Sequence, residues 1–286
     1  MRALPRSPWR QAWRRLHGSV RFWVFGVLAV VILLVAAVPQ LFTSVDPLSC
    51  FLERSRGPIS AEHPLGTDIQ GCDIYARLIH GTGASVSVGL LATFGALVLG
   101  ASVGGIAGYF GGWADTIVSR VTDVFFALPF ILAAIVILQV LPSRGVLSLV
   151  GVLVLFGWTT SARITRGVVI DIKDADFVTA ARALGAGGFW ILIRHIAPLT
   201  VPPLIVVATM SVGGFIASEA SLSFLNLGLP ADVPSWGKDI SDARMALRTQ
   251  PGILLFPAAA LTVTVLVFIV LGDLLRDVLD PRGGRR

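Results

Sequence analysis

The residues of this 286-residue chain that could do chemistry are few and poorly spaced for catalysis. A phosphate-binding loop needs glycines whose backbone N–H groups cradle the phosphates, followed by Lys and then Ser or Thr. Gly237-Lys238 is followed by Asp239 and lacks the earlier glycine. The four histidines, His17, His63, His80 and His195, stand far apart, and none has a second ligand at a metal-binding spacing. No Ser/His/Asp arrangement and no His-Glu-x-x-His pair occurs, so no catalytic residue is assigned. Cys50 and Cys72 share one polar stretch, which allows a disulfide closing a loop of about 23 residues or leaves two unpaired thiols.

The chemistry that remains is contact chemistry, concentrated in Asp176-Phe-Val-Thr-Ala-Ala-Arg-Ala-Leu-Gly185 and Arg194-His195-Ile-Ala-Pro198. Asp176 can cap a helix N-terminus, and Gly185 can end the helix in the left-handed conformation. Between them lie roughly 12 Å of helix. Phe177, Ala180, Ala181 and Leu184 follow the i, i+3, i+4, i+7 rule and make one narrow apolar face, with Thr179 and Arg182 on the other side. A helix this short is not stable alone and needs a groove to occupy, either the membrane surface or a partner protein. The small alanines favour close protein contact.

The elements that must position this segment follow from composition. The chain is 55% apolar and 14% charged, with a mean hydropathy of +0.81, which excludes a single water-soluble core. A helix needs roughly 20 apolar residues to cross the hydrocarbon layer. Such stretches lie at about 22–42, 86–109, 121–141, 145–162, 198–217 and 252–272. The expectation is therefore an all-α integral membrane protein with six transmembrane helices: one membrane domain over 22–276, an N-terminal segment 1–21 and a tail 277–286. Asp123 is the only formal charge within these spans. The first span is too long for a signal peptide and offers no small-x-small cleavage site.

An even number of spans puts both termini on one side. Sixteen of the 23 lysines and arginines fall on that side and seven on the other, so both termini are expected to be cytoplasmic. The pI near 10.3 then reflects topology and anionic lipid, with no nucleic-acid partner. In the N-terminal segment Trp9, Trp13 and Leu16 share one helical face while Arg10, Arg14 and Arg15 point away. That is either an amphipathic helix on the inner surface or a basic flank that only sets topology.

Ala92, Ala96, Gly100, Gly104 and Gly108 form a small-residue stripe, each four apart, which lets helix backbones approach closely. Packing within the chain is favoured; packing on a second membrane subunit has the same signature. Residues Glu219–Gly228 are too short and polar to span and suggest a re-entrant or surface helix, with Trp236 as an interfacial anchor. His63-Pro64 and Gly66-Thr67-Asp68 mark an ordered loop. Gly111-Gly112 with Asp115 marks a tight turn on the opposite side.

Thr179-Ala-Ala-x-x-x-Gly185 with Arg194-His195-x-x-Pro198 resembles the EAA loop of permease subunits of binding-protein-dependent ABC importers, with Thr179 standing where that family usually has Glu. His63-Pro-Leu-Gly-Thr-Asp68 with Gly71-Cys-Asp73 looks like the dipeptide/oligopeptide branch of the family, and specifically its C-type permease. The same holds for Gly108-Tyr-Phe-Gly-Gly-Trp-Ala-Asp115, for Glu219-Ala-Ser-Leu-Ser-Phe-Leu-Asn-Leu-Gly228 with Pro234-Ser-Trp-Gly237, and for Leu271-Gly-Asp-Leu-Leu-Arg-Asp-Val-Leu-Asp-Pro-Arg282. Cys72 stands where the family usually has Arg. The resemblance covers nearly the whole chain from Phe22 onward.

It implies a bacterial inner-membrane subunit that forms half of a peptide pathway with a second homologous permease. It also implies two ATPase domains, or one fused ATPase chain, and an extracytoplasmic solute-binding protein. ATP and Mg²⁺ would be bound by the ATPase, with no cofactor in this chain. Asp176, Phe177, Thr179, Ala180, Ala181, Arg182, Leu184 and Gly185 would make the ATPase contact, and Arg194, His195 and Pro198 would fix the loop against the fifth span. Substrate-binding residues are not identifiable. A stand-alone secondary transporter or channel is the alternative, as is the same importer class carrying nickel or another small solute. The absence of an inverted repeat and of acids deep in the spans favours the importer.

Overall fold

The computed structural model describes residues 17–142, 145–230 and 232–279, and within them it is helical with no strands. Trp9, Trp13 and Leu16, and the end of the tail beyond Leu279, lie outside the described residues. Five helices are long and apolar enough to cross a membrane, and a bent pair makes a further candidate.

Helix α1 (Val20–Ala37) starts at Ser19, whose hydroxyl accepts from the Phe22 N–H, and stops before Pro39, where the preceding residue is pushed out of helical conformation. Helix α2 (Ile74–Phe110) runs for 37 residues, roughly 55 Å, well beyond the hydrocarbon thickness. The expected start near residue 86 is thus corrected to Ile74. Asp73 caps α2 by accepting from the Ala76 N–H at 2.6 Å, and the polar residues of its first turns have partners elsewhere in the fold.

The expected span 121–141 is not one helix. It divides into α3 (Gly112–Ala127) and α4 (Phe130–Val140), bent by 91°. Pro129 has no N–H to donate and forces Leu128 into extended conformation, which breaks the helix although hydropathy runs on unbroken. Helix α5 (Val146–Ile172) extends ten residues past the expected end at 162, because Arg163 and Arg166 find Asp123 and Asp115 on α3.

The α2 stripe packs against α5 of the same chain. A Cβ at Gly100 would lie 2.4 Å from the Trp158 carbonyl oxygen, and one at Gly104 would lie 2.2 Å from that of Ala162. Gly108 faces Val169, while Ala92 and Ala96 are buried.

Next come the short helices α6 (Asp176–Ala183) and α7 (Gly188–Ile191), and then a π turn at Leu192–Ile196. The long α8 (Ala197–Phe224) follows directly, so this span begins near 188 and passes through Pro202 and Pro203. The expected separate helix at 219–228 is also corrected. Residues through Phe224 are the last turns of α8, and the chain leaves at Asn226 with positive φ. Glu219 therefore lies inside a span-length helix, so Asp123 is not the only acid in one.

Helix α9 (Trp236–Asp242) is capped by Ser235, and α10 (Gly252–Leu279) runs seven residues past its expected end. Trp236 is buried rather than interfacial, and its indole N–H donates to the Leu78 carbonyl at 3.1 Å. At this end of the bundle Cys50 and Cys72 form a disulfide that ties the 38–73 segment to the start of α2. Gly71 has φ +78° and lies against the Phe51 carbonyl, where no Cβ would fit.

Candidate functional site

Helix α6 lies at the end of the bundle opposite the disulfide, between the end of α5 and the start of α7. Asp176 sits in its first turn, but Ala175 occupies the N-cap and no side chain caps the helix, which corrects the expected role of Asp176. The other end closes as a Schellman motif: Gly185 at φ +85° donates to Arg182 O at 2.9 Å, and Ala186 donates to Ala181 O at 3.1 Å.

The apolar residues of α6 divide between two faces. Val178 is 0% exposed and packs with Val169 of α5 and with Ile191, Leu192 and Ile196 beyond. Ala181 is half-buried against the same cluster. On the free side Phe177 is 44% exposed, Leu184 is 90% exposed, and Ala180 and Thr179 are also open. The four-residue face expected from spacing is thus split, with Ala181 turned inward and Phe177, Ala180 and Leu184 turned out. Sequence reasoning missed Val178, whose signal was its i, i+3 pairing with Ala181.

Arg182 is turned toward the bundle. It donates to Lys173 O at 3.3 Å and lies over the Tyr109 ring, tying α6 to the ends of α5 and α2. Nearby, the Arg166 guanidinium grips Asp115 with both arms, one bond being 2.7 Å, and locks the start of α3 to α5. Arg194, His195 and Pro198 do not form a separate clamp against the fifth span. They lie within the continuous α7–π–α8 helix, where the His195 ring meets Trp190 at 4.9 Å.

The disulfide end holds a second polar assembly that no local sequence pattern announces. Arg77 of α2 donates to Asp239 of α9, with Asp68 3.9 Å away, and these groups line a cleft with Gln70, Asp242, Ile253 and Pro257. Burial raises the Asp239 carboxyl to about 6, against the opposing pull of Arg77. Glu219, 0% exposed, accepts from Ser85 at 2.9 Å and Ser223 at 2.6 Å and so ties α2 to α8. His63 pairs with Asp73 at 2.7 Å, and the described residues contain no group of three or more potential metal ligands. The whole arrangement offers contact surfaces and interhelical ties.

Residues 83–284 match the family described as "Binding-protein-dependent transport system inner membrane component". The chain is 37% identical over 279 residues to the glutathione transport system permease protein GsiD of Pectobacterium atrosepticum, covering 97% of this chain and 92% of that protein. It is 38% identical over 285 residues to the dipeptide transport system permease protein DppC of Alkalihalophilus pseudofirmus, covering 96% and 90%. Among solved structures, an inward-facing form of the MetNI methionine ABC transporter shares the fold. Its TM-score is 0.57 at 19% identity, over 71% of this chain and 96% of the matched one.

Proposed function

The chain belongs to the family of binding-protein-dependent transport system inner membrane components, and we propose that it forms half of the pathway of an ATP-driven importer of short peptides. It is a multi-pass permease subunit of the bacterial inner membrane. The relatives named for glutathione and for dipeptides support a short peptide as the cargo.

Six spans result if α3 and α4 count as one, and the lysine and arginine distribution then makes the α6 end cytoplasmic. One observation carries the coupling role: α6 is anchored from within by Val178 yet displays Phe177, Ala180 and Leu184 to solvent. An exposed leucine on a short helix beneath the bilayer gains most from a protein groove. The groove belongs to an ATPase domain, which supplies the ATP and Mg²⁺ site that this chain does not provide. A second homologous permease completes the pathway, and a solute-binding protein docks at the disulfide end. ATP binding closes the ATPase domains, α6 moves with them, and the two permeases rock toward the binding protein. Hydrolysis resets the pair.

The test is reconstitution in proteoliposomes with the second permease, ATPase and binding protein. ATP-dependent uptake of glutathione or Ala-Ala is the expected result. Uptake of the same compounds by this chain alone under a proton or sodium gradient refutes it.

A further inference from the structure

The five-residue π turn at Leu192–Ile196 lies between the coupling helix and the long apolar run of α8. We infer that this turn is the joint that converts displacement of α6 into rotation of α8, with Trp190, His195 and Pro198 as its positioning residues. The inference rests on the reading of α6 as the ATPase contact and adds how its movement enters the membrane.

Three features hold the turn. The Ala197 N–H donates to the Leu192 carbonyl five residues back, one residue further than an α-helix allows. The Trp190 and His195 rings meet at 4.9 Å and 69°. Residues five apart are about 140° apart around an α-helix, so this edge contact belongs to the wider turn. Pro198 follows at once. In a straight α-helix its ring would press on the Arg194 carbonyl, and it has no N–H to complete the ladder there, so a wider turn before it relieves the clash.

The turn is also where α6 is seated. Val178 shares one buried cluster with Leu192 and Ile196, two of its five residues, and with neighbouring Ile191. A π turn holds one residue more than an α-helix between the same flanking contacts. One helical residue spans about 1.5 Å and about 100°, which bounds the advance and rotation that the turn can give α8. Movement of α6 thus acts on a segment of the span whose hydrogen-bond register can shift.

The experiment uses the complete transporter. Deleting Ile193, which is 56% exposed and outside the Val178 cluster, removes the extra residue and restores an α-helix with both flanks in place. The two native cysteines are disulfide-bonded, so Ser218→Cys, half-buried on α8, is the one free thiol of this chain. ATP with vanadate should change the thiol-labelling rate of Ser218→Cys several-fold in the otherwise wild-type chain, and the deletion should abolish that change while the ATPase still co-purifies. Hydrogen exchange at amides 192–197 should differ between nucleotide-free and vanadate-trapped states. His195→Ala should weaken the response and His195→Phe, which keeps a ring, should restore it. A deletion variant with the full nucleotide response overturns the joint, as does equal exchange at 192–197 in both states. If the deletion fails to fold, the exchange comparison and the His195 pair decide. Release of the ATPase by Leu184→Asp tests the α6 reading separately, so an ATPase still bound there sinks that reading and not only the joint.

Discussion

Arg77 and Asp239, 162 positions apart, meet at the disulfide end, where the guanidinium donates through Nε and Nη2 to one carboxylate oxygen. The pair joins the first turn of α2 to α9, beside the Trp236 indole that donates to Leu78 O. Asp68 and Asp242 face the same cleft, so Arg77 holds together an otherwise acidic cluster.

The raised carboxyl of Asp239 makes stability depend on pH with a definite sign. Its folded value of about 6 lies above the ordinary 3.8, so between them the folded chain holds a proton that the unfolded chain has lost. Asp239's contribution is complete below pH 4 and is lost as pH rises through about 6, a change of about 3 kcal/mol. Detergent-solubilised wild type should therefore gain in Tm relative to Asp239→Asn when the pH is lowered from 7 to 5. Parallel pH profiles for the two proteins would contradict the assignment.

The Cys50–Cys72 disulfide closes a loop whose ends are 22 positions apart. In the chain-entropy model such a closure is worth about 3 kcal/mol. Replacing both cysteines by serine should lower Tm measurably, and alkylation of the denatured wild type without reductant should add no mass. Labelling of either cysteine under those conditions would show free thiols.

Close approach of α2 to α5 predicts a sharp contrast between two glycines. A Cβ at Gly104 would sit 2.2 Å from the Ala162 carbonyl oxygen, whereas Gly151 has nothing within 4 Å. Gly104→Val should abolish stable membrane accumulation, since backbone on both sides would have to part. Gly151→Ala should accumulate as wild type. Equal yields of the two variants would disprove the packing.

Much of this was legible in sequence because lipid imposes it. Each span-length helix overlaps an apolar stretch, since no other backbone arrangement satisfies its hydrogen bonds in hydrocarbon. Helix ends were not legible where a charged residue is satisfied by a distant partner. Arg77 on α2 needs Asp239, and Arg166 on α5 needs Asp115, and neither pairing has a local signature. The break at Leu128-Pro129 was signalled by proline but masked by continuous hydropathy. The α6 segment was found from its spacing, yet its anchor was not, because an eight-residue helix with apolar residues on two faces does not declare which face is taken.

That division of faces yields the last prediction. Val178 is buried among Val169, Ile191, Leu192 and Ile196, whereas Leu184 is nine-tenths exposed with no burial to lose. Val178→Ala removes two buried methyls and should loosen α6, costing about 2 kcal/mol locally and raising protease cleavage near 176–187. Leu184→Asp should leave protease resistance and Tm unchanged, because the charge stays in water. It should nevertheless lower ATPase co-purification and ATP-dependent uptake at least tenfold, because a carboxylate carried into an apolar groove loses its hydration without a partner. The two phenotypes are separable: one variant weakens the helix seat, the other only what the helix meets. If Leu184→Asp destabilises the isolated chain, the exposed face is already used within this subunit and the groove lies elsewhere.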